Sequence, residues 1–209
     1  MKNEFVYDNA KEILRKAYDN DMSLLPTIIK CSLHDGIMQS LNASGLLQQM
    51  VFHGGTSLQR IHGSARLSED LDFCMRNDIS ELAVFKTFCK DFETVLKEDF
   101  SKIYGIDDSD IFFRESGKDT SIIQDGDVFT GKIGIVVPLG EKRQIINIEL
   151  ENREPLTAEI QPFGRLPNDA FQHDDIYLNV ETKEEMLVNT FISLFQRTRF
   201  QYRDFYDIG

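Results

Sequence analysis

Asp70 and Asp72 stand two residues apart in RLSEDLDF (66–73), alternating with Leu71 and Phe73. That alternation limits the fold more than anything else in the chain. It fits a strand that turns both carboxylates to one face and both apolar side chains to a buried face. Two neighbouring carboxylates repel each other unless a cation lies between them. All-oxygen donors at this spacing suit Mg²⁺, which takes one or two carboxylates together with phosphate oxygens and water.

The residues just before this strand sharpen the reading. Gln49–His53 is expected to be a short strand running into Gly54-Gly55, with a short helix over Thr56–Ile61. Two glycines allow a tight turn and a close backbone approach to a ligand. Thr56 and Ser57 then offer amides and hydroxyls at a helix start, a natural place for a phosphate. A third carboxylate, Glu149, belongs to a strand of the same pattern, with Ile148 and Leu150 on its buried side. If that strand lies beside the first, three carboxylates converge, as needed to hold two metals for an in-line nucleotidyl transfer.

The remaining chain supplies a scaffold. Val6, Ala10, Ile13, Leu14, Ala17 and Tyr18 recur at helical spacing over 4–19. Ser23 and Pro26 suit the start of a second helix, with Ile29, Leu33, Ile37, Met38 and Leu41 on its apolar side. His34-Asp35 has the form of a metal-binding HD pair, but without visible companion ligands it reads as part of a polar helix face. Asp78–Glu81 and Thr182–Glu185 resemble capping boxes. The first precedes a helix with Leu82, Phe85, Phe88, Phe92 and Val95 on one face. The second precedes one with Met186, Leu187, Phe191, Leu194 and Phe195. From about residue 108 the period becomes two, over Phe129–Val137 with Pro138 as the stop, and again over Ile146–Glu151; shorter strands are expected at 110–114, 120–124, 158–161 and 176–180.

The resulting expectation is an α+β fold with a mixed sheet. A sheet domain spans 46–180, and residues 1–45 and 181–209 form a helical layer. A net charge of -12 excludes nucleic-acid binding by bulk electrostatics. Arg197, Arg199 and Arg203 form the one visible basic cluster. Three widely spaced cysteines suggest reduced thiols. With no signal-peptide core and no apolar run of membrane-spanning length, a cytoplasmic protein with no membrane partner is expected.

At FHGGTSLQRIHG, RLSEDLDF, INIELENRE, TKEEMLVNTFISLFQR and YRDFYDI the sequence resembles the DNA polymerase beta superfamily of nucleotidyltransferases. Within it, the sequence is similar to the AbiEii/AbiGii toxin family, the toxin half of abortive-infection and toxin–antitoxin pairs. The resemblance runs in order from residue 52 to the C-terminus, and GGTSL and RLSEDLDF together make it specific. It implies a polymerase-beta-like nucleotidyltransferase fold and an NTP donor. Asp70, Asp72 and Glu149 would be the catalytic Mg²⁺ carboxylates. Gly54, Gly55, Thr56, Ser57, Arg66 and Ser68 would hold the nucleotide. It also implies an RNA (tRNA-like) or protein acceptor and a cognate antitoxin. Thr190, Arg197, Arg203, Asp204 and Asp207 would form a second wall. Thr190 is a departure, because the family usually has a lysine there to meet phosphate. An alternative is therefore a catalytically impaired NTP-binding module of the same fold.

Overall fold

A computed structural model of the chain describes residues 2–76, 79–104, 106–113, 122–125, 127–139, 142–166 and 175–196. The helices are α1 (Lys2–Ala17), α2 (Leu25–Ala43), α3 (Gly54–Arg60), α4 (Leu82–Val95), α5 (Ser101–Tyr104) and α6 (Lys183–Gln196). A π turn, Leu96–Phe100, joins α4 to α5. The strands are β1 (Met50–His53), β2 (Leu71–Met75), β3 (Ile111–Phe113), β4 (Ile122–Asp125), β5 (Val128–Leu139), β6 (Lys142–Glu151), β7 (Ala158–Pro162) and β8 (Tyr177–Glu181).

All eight strands belong to one sheet, in the order β3-β5-β6-β2-β1-β8-β7, with β4 also paired to β5. The β1–β8 and β2–β6 pairs are parallel and the others antiparallel, so the sheet is mixed as expected. Strand β5 continues through Pro138, where the sequence suggested a stop. Beyond Ile135, β5 has a ladder neighbour on one side only among the described residues, a position that tolerates a residue without an N–H.

One face of the sheet carries the core. Leu71, Phe73 and Met75 of β2 meet Phe52 of β1 and Phe92 of α4 there, with ring centroids 5.2 Å apart for Phe52–Phe73 and 6.2 Å for Phe73–Phe92. The aromatic spacing in α4 buries Phe85, Phe88 and Phe92 as the sequence indicated. This cluster is continuous with apolar residues of α1 and α2, including Val6, Ile13, Leu33 and Leu41.

Helix α2 departs from the amphipathic expectation. Lys30, Ser32, His34, Asp35 and Ser40 are buried along with its apolar residues, so His34-Asp35 is not part of a solvated face. The helix lies against α1 on one side and the α4–π-turn segment on another, which leaves its polar residues to find partners indoors.

The caps also differ from the sequence patterns. Neither α2 nor α4 has a side-chain N-cap, and Ser23 instead bonds the Asp21 carboxylate. At α6 the Thr182 hydroxyl accepts from the Glu185 amide at 3.4 Å. The Glu185 carboxylate does not return the bond but accepts from the Leu156 and Thr157 amides. Of the apolar set in α6, Met186 and Leu194 are buried, whereas Leu187, Phe191 and Phe195 are exposed.

Candidate active site

The local geometry starts at Gly54. Its φ is +74°, a region that side chains rarely adopt, and a Cβ placed there would stand 2.2 Å from Asp72 Oδ2. Glycine thus lets the strand end of β1 turn directly into α3 while the Asp72 carboxylate packs against its backbone. A Cβ on Gly55 would stand 2.5 Å from Arg66 Nη2 and 2.9 Å from Ser68 Oγ. The glycine pair, Asp72, Arg66 and Ser68 are therefore brought together. Thr56 is fully buried, and its hydroxyl donates to the Asp70 carbonyl, tying α3 to the approach to β2. Ser57 is also buried, and its hydroxyl has no protein partner among the described residues.

The sheet register sets the carboxylates. In the parallel β2–β6 pair, Asp72 lies opposite Glu149. Direct cross-strand partners share a face with their Cβ atoms about 5 Å apart. The expected adjacency of the two strands is thus met. Asp70 lies one residue ahead of β2, and its Oδ1 accepts from the Asn147 amide at 3.2 Å and from Asn147 Nδ2 at 2.9 Å. Glu149 Oε1 accepts from Lys132 Nζ at 2.6 Å. Among the described residues, no three His, Cys, Asp or Glu side chains stand close enough to hold one ion together. The donor set still fits a hard divalent cation, being all carboxylate oxygen beside a glycine cradle that any Cβ would fill.

Helix α2 holds the loop that carries Arg66 and Ser68. Thr27, Lys30, Cys31 and His34, at i, i+3, i+4 and i+7, lie along one helical stripe. Thr27 bonds the Glu69 carboxylate, which also pairs with Lys30 Nζ at 2.5 Å. Cys31 Sγ donates to the Ser68 carbonyl, and His34 Nε2 meets the Glu69 carbonyl at 3.1 Å. Gln59 Oε1 accepts from the Ser68 amide at 3.1 Å, so α3 grips the same loop. Burial favours the neutral form of Glu69, but the bonds from Lys30 and Thr27 outweigh it and hold the carboxyl below its ordinary range. Burial, with the Arg60 charge nearby, lowers His34 to about 4.

The far end of α3 is fastened as well. Arg60 forms a buried ion pair with Asp35, and its Nε and Nη1 donate to the carbonyls of Gly164 at 2.6 Å and Cys31 at 3.3 Å. Its guanidinium lies 4.5 Å from the centre of the Phe163 ring. His34-Asp35 is therefore a brace beneath the site: each residue holds a different part of it.

Beyond Asp72 on the same strand parity, the sheet face is polar but more enclosed. Arg153 bonds Glu151 at 2.8 Å and Glu181 at 3.1 Å, and Asn189 of α6 also reaches Glu181. Burial raises Glu181, against the opposing charge of Arg153. Thr190 turns its hydroxyl back to the Met186 carbonyl, 2.9 Å away. Arg197, Arg203, Asp204 and Asp207 lie outside the described residues. Asn147, Lys132, Gln59 and Arg60 were not among the sequence candidates. The α2 stripe was visible as polar residues at helical spacing, but only tertiary packing reveals what they grip.

The family model of the nucleotidyl transferase AbiEii toxin, type IV toxin–antitoxin system, matches residues 36–209. Among solved structures, the chain is similar to MenT4, a nucleotidyltransferase toxin from Mycobacterium tuberculosis. The identity is 22% and the TM-score 0.60, over 98% of this chain and 62% of that one. It is also similar to JHP933 from Helicobacter pylori, with 19% identity and a TM-score of 0.50 over 87% of this chain and 64% of that one. At these identities the likeness establishes the fold, and this chain spans less than two thirds of the length of either structure. No curated protein matches.

Proposed function

The chain belongs to the AbiEii nucleotidyl transferase toxin family, and on that premise we propose that it moves a nucleoside monophosphate from an NTP to an RNA (tRNA-like) or protein acceptor, with Mg²⁺. The observation that carries this reading is the placement of Asp72, which stands opposite Glu149 in the sheet and packs its carboxylate against Gly54 at the start of α3: a glycine cradle and two carboxylates adjoin.

In the proposed reaction the acceptor oxygen bonds to the α-phosphorus of the NTP. The bond from that phosphorus to the β-phosphate oxygen breaks, and pyrophosphate leaves. Asp70, Asp72 and Glu149 would hold Mg²⁺ as two ions shared along the set rather than one ion bound by all three, with Asp72 and Glu149 as the adjacent pair; bound Mg²⁺ supplies charge neutralisation at the phosphates and acidifies the attacking hydroxyl. Gly54 and Gly55 let the triphosphate approach the backbone. Arg66 supplies positive charge at the same glycines. Asn147 fixes Asp70, and Glu149 takes the hydroxyl proton at its free oxygen. Positioning and electrostatics account for most of the catalysis in such a site.

The same reading includes a cognate antitoxin and a cytoplasmic location beside the NTP pool. Among the described residues no helix is long and apolar enough to cross a membrane. The orientation of Thr190 favours a second reading, an NTP-binding module without turnover, because that position supplies no cation. Incubation with each α-labelled NTP, Mg²⁺ and total RNA or protein separates the two. Transfer that disappears in Asp70→Ala is the expected result. Mg²⁺-dependent NTP binding without transfer to any acceptor would favour the module.

A further inference from the structure

Lys132 extends the row of the proposed site by one strand. It lies opposite Glu149 in the antiparallel β5–β6 ladder, as Glu149 lies opposite Asp72 in the parallel β6–β2 pair. The line across the sheet therefore reads His53, Asp72, Glu149, Lys132, and Gly54, which follows His53, packs against the Asp72 carboxylate: the glycine cradle is at one end and an ammonium at the other. Neighbouring strands are about 4.8 Å apart, which puts the lysine backbone about 10 Å from that of Asp72.

The position decides which substrate the lysine serves. An in-line displacement puts the leaving pyrophosphate and the attacking oxygen on opposite sides of the α-phosphorus. The cradle stands on the pyrophosphate side, so Lys132 stands on the acceptor side, beyond Glu149. The contact itself has a further use. A glutamate side chain is flexible, and the Asp72 charge beside it pushes it away. The Lys132 Nζ bond to Oε1 fixes one oxygen towards β5 and leaves the other for the reacting hydroxyl. The lysine and glutamate side chains are 30% and 35% exposed, so the pair adds little stability and its removal leaves the fold intact.

We infer that Lys132 is a positioning residue for nucleotidyl transfer, acting through Glu149 at the acceptor end of the site. The inference rests on the nucleotidyltransferase reading. It assigns Lys132 no part in holding the NTP and does not return the missing charge of Thr190 to the donor end.

The test compares Lys132→Met, Lys132→Gln and Lys132→Arg with the wild-type chain in two measurements. One is transfer of label from α-labelled NTP to total RNA or protein over a range of NTP concentrations. The other is the rise in unfolding midpoint given by NTP with Mg²⁺, which reports binding without turnover. The Met and Gln variants should lose about 100-fold in rate at saturating NTP, the scale of a misplaced reacting group. Their KM for NTP and their ligand-induced midpoint rise should stay at wild-type values. Arginine, which keeps the charged donor, should recover most of the rate. Wild-type rates in both neutral variants would overturn the inference, and so would loss of the NTP-induced midpoint rise, which would move the lysine to the donor end. If Met fails to fold, Gln carries the same comparison. A wild-type chain that binds NTP but transfers no label overturns the underlying reading and this inference together, whereas normal transfer by the neutral variants overturns the inference alone.

Discussion

Alternate residues of β2 build two faces held by different forces. On one, Leu71, Phe73 and Met75 are buried among aromatic rings, and their contribution follows the apolar area and volume they fill. On the other, Asp72 lies beside Glu149, whose carboxylate is bonded by Lys132, and next to the backbone of Gly54. The apolar face can be described residue by residue. The polar face has meaning only across strands, because each of its charges is oriented by a partner on a neighbouring element. The division is uneven along the strand: two residues beyond Asp72, Cys74 is fully buried, and burial lifts its thiol to about 12. The open part of the polar face is thus confined to the end nearest the glycine cradle.

Substitutions on β2 should separate the two faces. Asp72→Asn is expected to reduce label transfer by about 1,000-fold or more, on the scale of losing one preorganised electrostatic group, while the unfolding free energy stays within about 0.5 kcal/mol of wild type. One residue along, Phe73→Ala should cost about 3–5 kcal/mol of stability by opening a core cavity. Equal stability losses in the two variants, by denaturant unfolding, would erase the distinction.

The braces predict a third behaviour. Arg60→Met leaves Asp35 as a buried charge without its guanidinium and should destabilise the fold by about 3–5 kcal/mol. Adding Asp35→Leu should recover part of that loss, because an apolar pair replaces an ion pair at lower desolvation cost. Non-recovery would mean that the bonds from Arg60 to Gly164 and Cys31, rather than the ion pair, are what matter.

Gly54→Ala tests the join between cradle and carboxylate. A methyl group at a φ of +74°, directed at Asp72 Oδ2, must displace that carboxylate. The NTP-induced rise in unfolding midpoint should be lost, and the variant should be about 1–3 kcal/mol less stable from backbone strain. Retention of that rise would detach Gly54 from the site.

The smallest effect is a pH slope. His34 is held at about 4 in the fold, below its ordinary 6.5, so between these values the unfolded chain binds the extra proton. Stability is full above about 6.5 and falls as the pH drops towards 4. His53, held at about 3 by burial, adds to the slope. Unfolding midpoints across this window should decline, and less steeply in His34→Gln.

Much of the polar face was legible because period two survives in RLSEDLDF and INIEL: Leu71 and Ile148 point inward, Asp72 and Glu149 outward. The glycine pair was legible because each position excludes a side chain: Gly54 has a positive φ and the Asp72 carboxylate against it, and Gly55 has Arg66 and Ser68. Three things were not. Lys132 lies in an alternating run where a lysine ordinarily faces water, and its role comes from register, which no local pattern carries. The polar stripe of α2 reads as a surface until the helix is found to be enclosed. The exposed Phe191 and Phe195 of α6 follow from packing through Met186 and Leu194 instead, a choice that helical periodicity alone left open.

The most direct test uses the same NTP labelled at either end. With Mg²⁺ and total RNA or protein, label on the α-phosphate should become attached to the acceptor, while label on the γ-phosphate should appear in pyrophosphate; Asp72→Asn should do neither. Attachment of the γ-label, or an unchanged α-label yield in Asp72→Asn, would contradict nucleotidyl transfer at the polar face of β2.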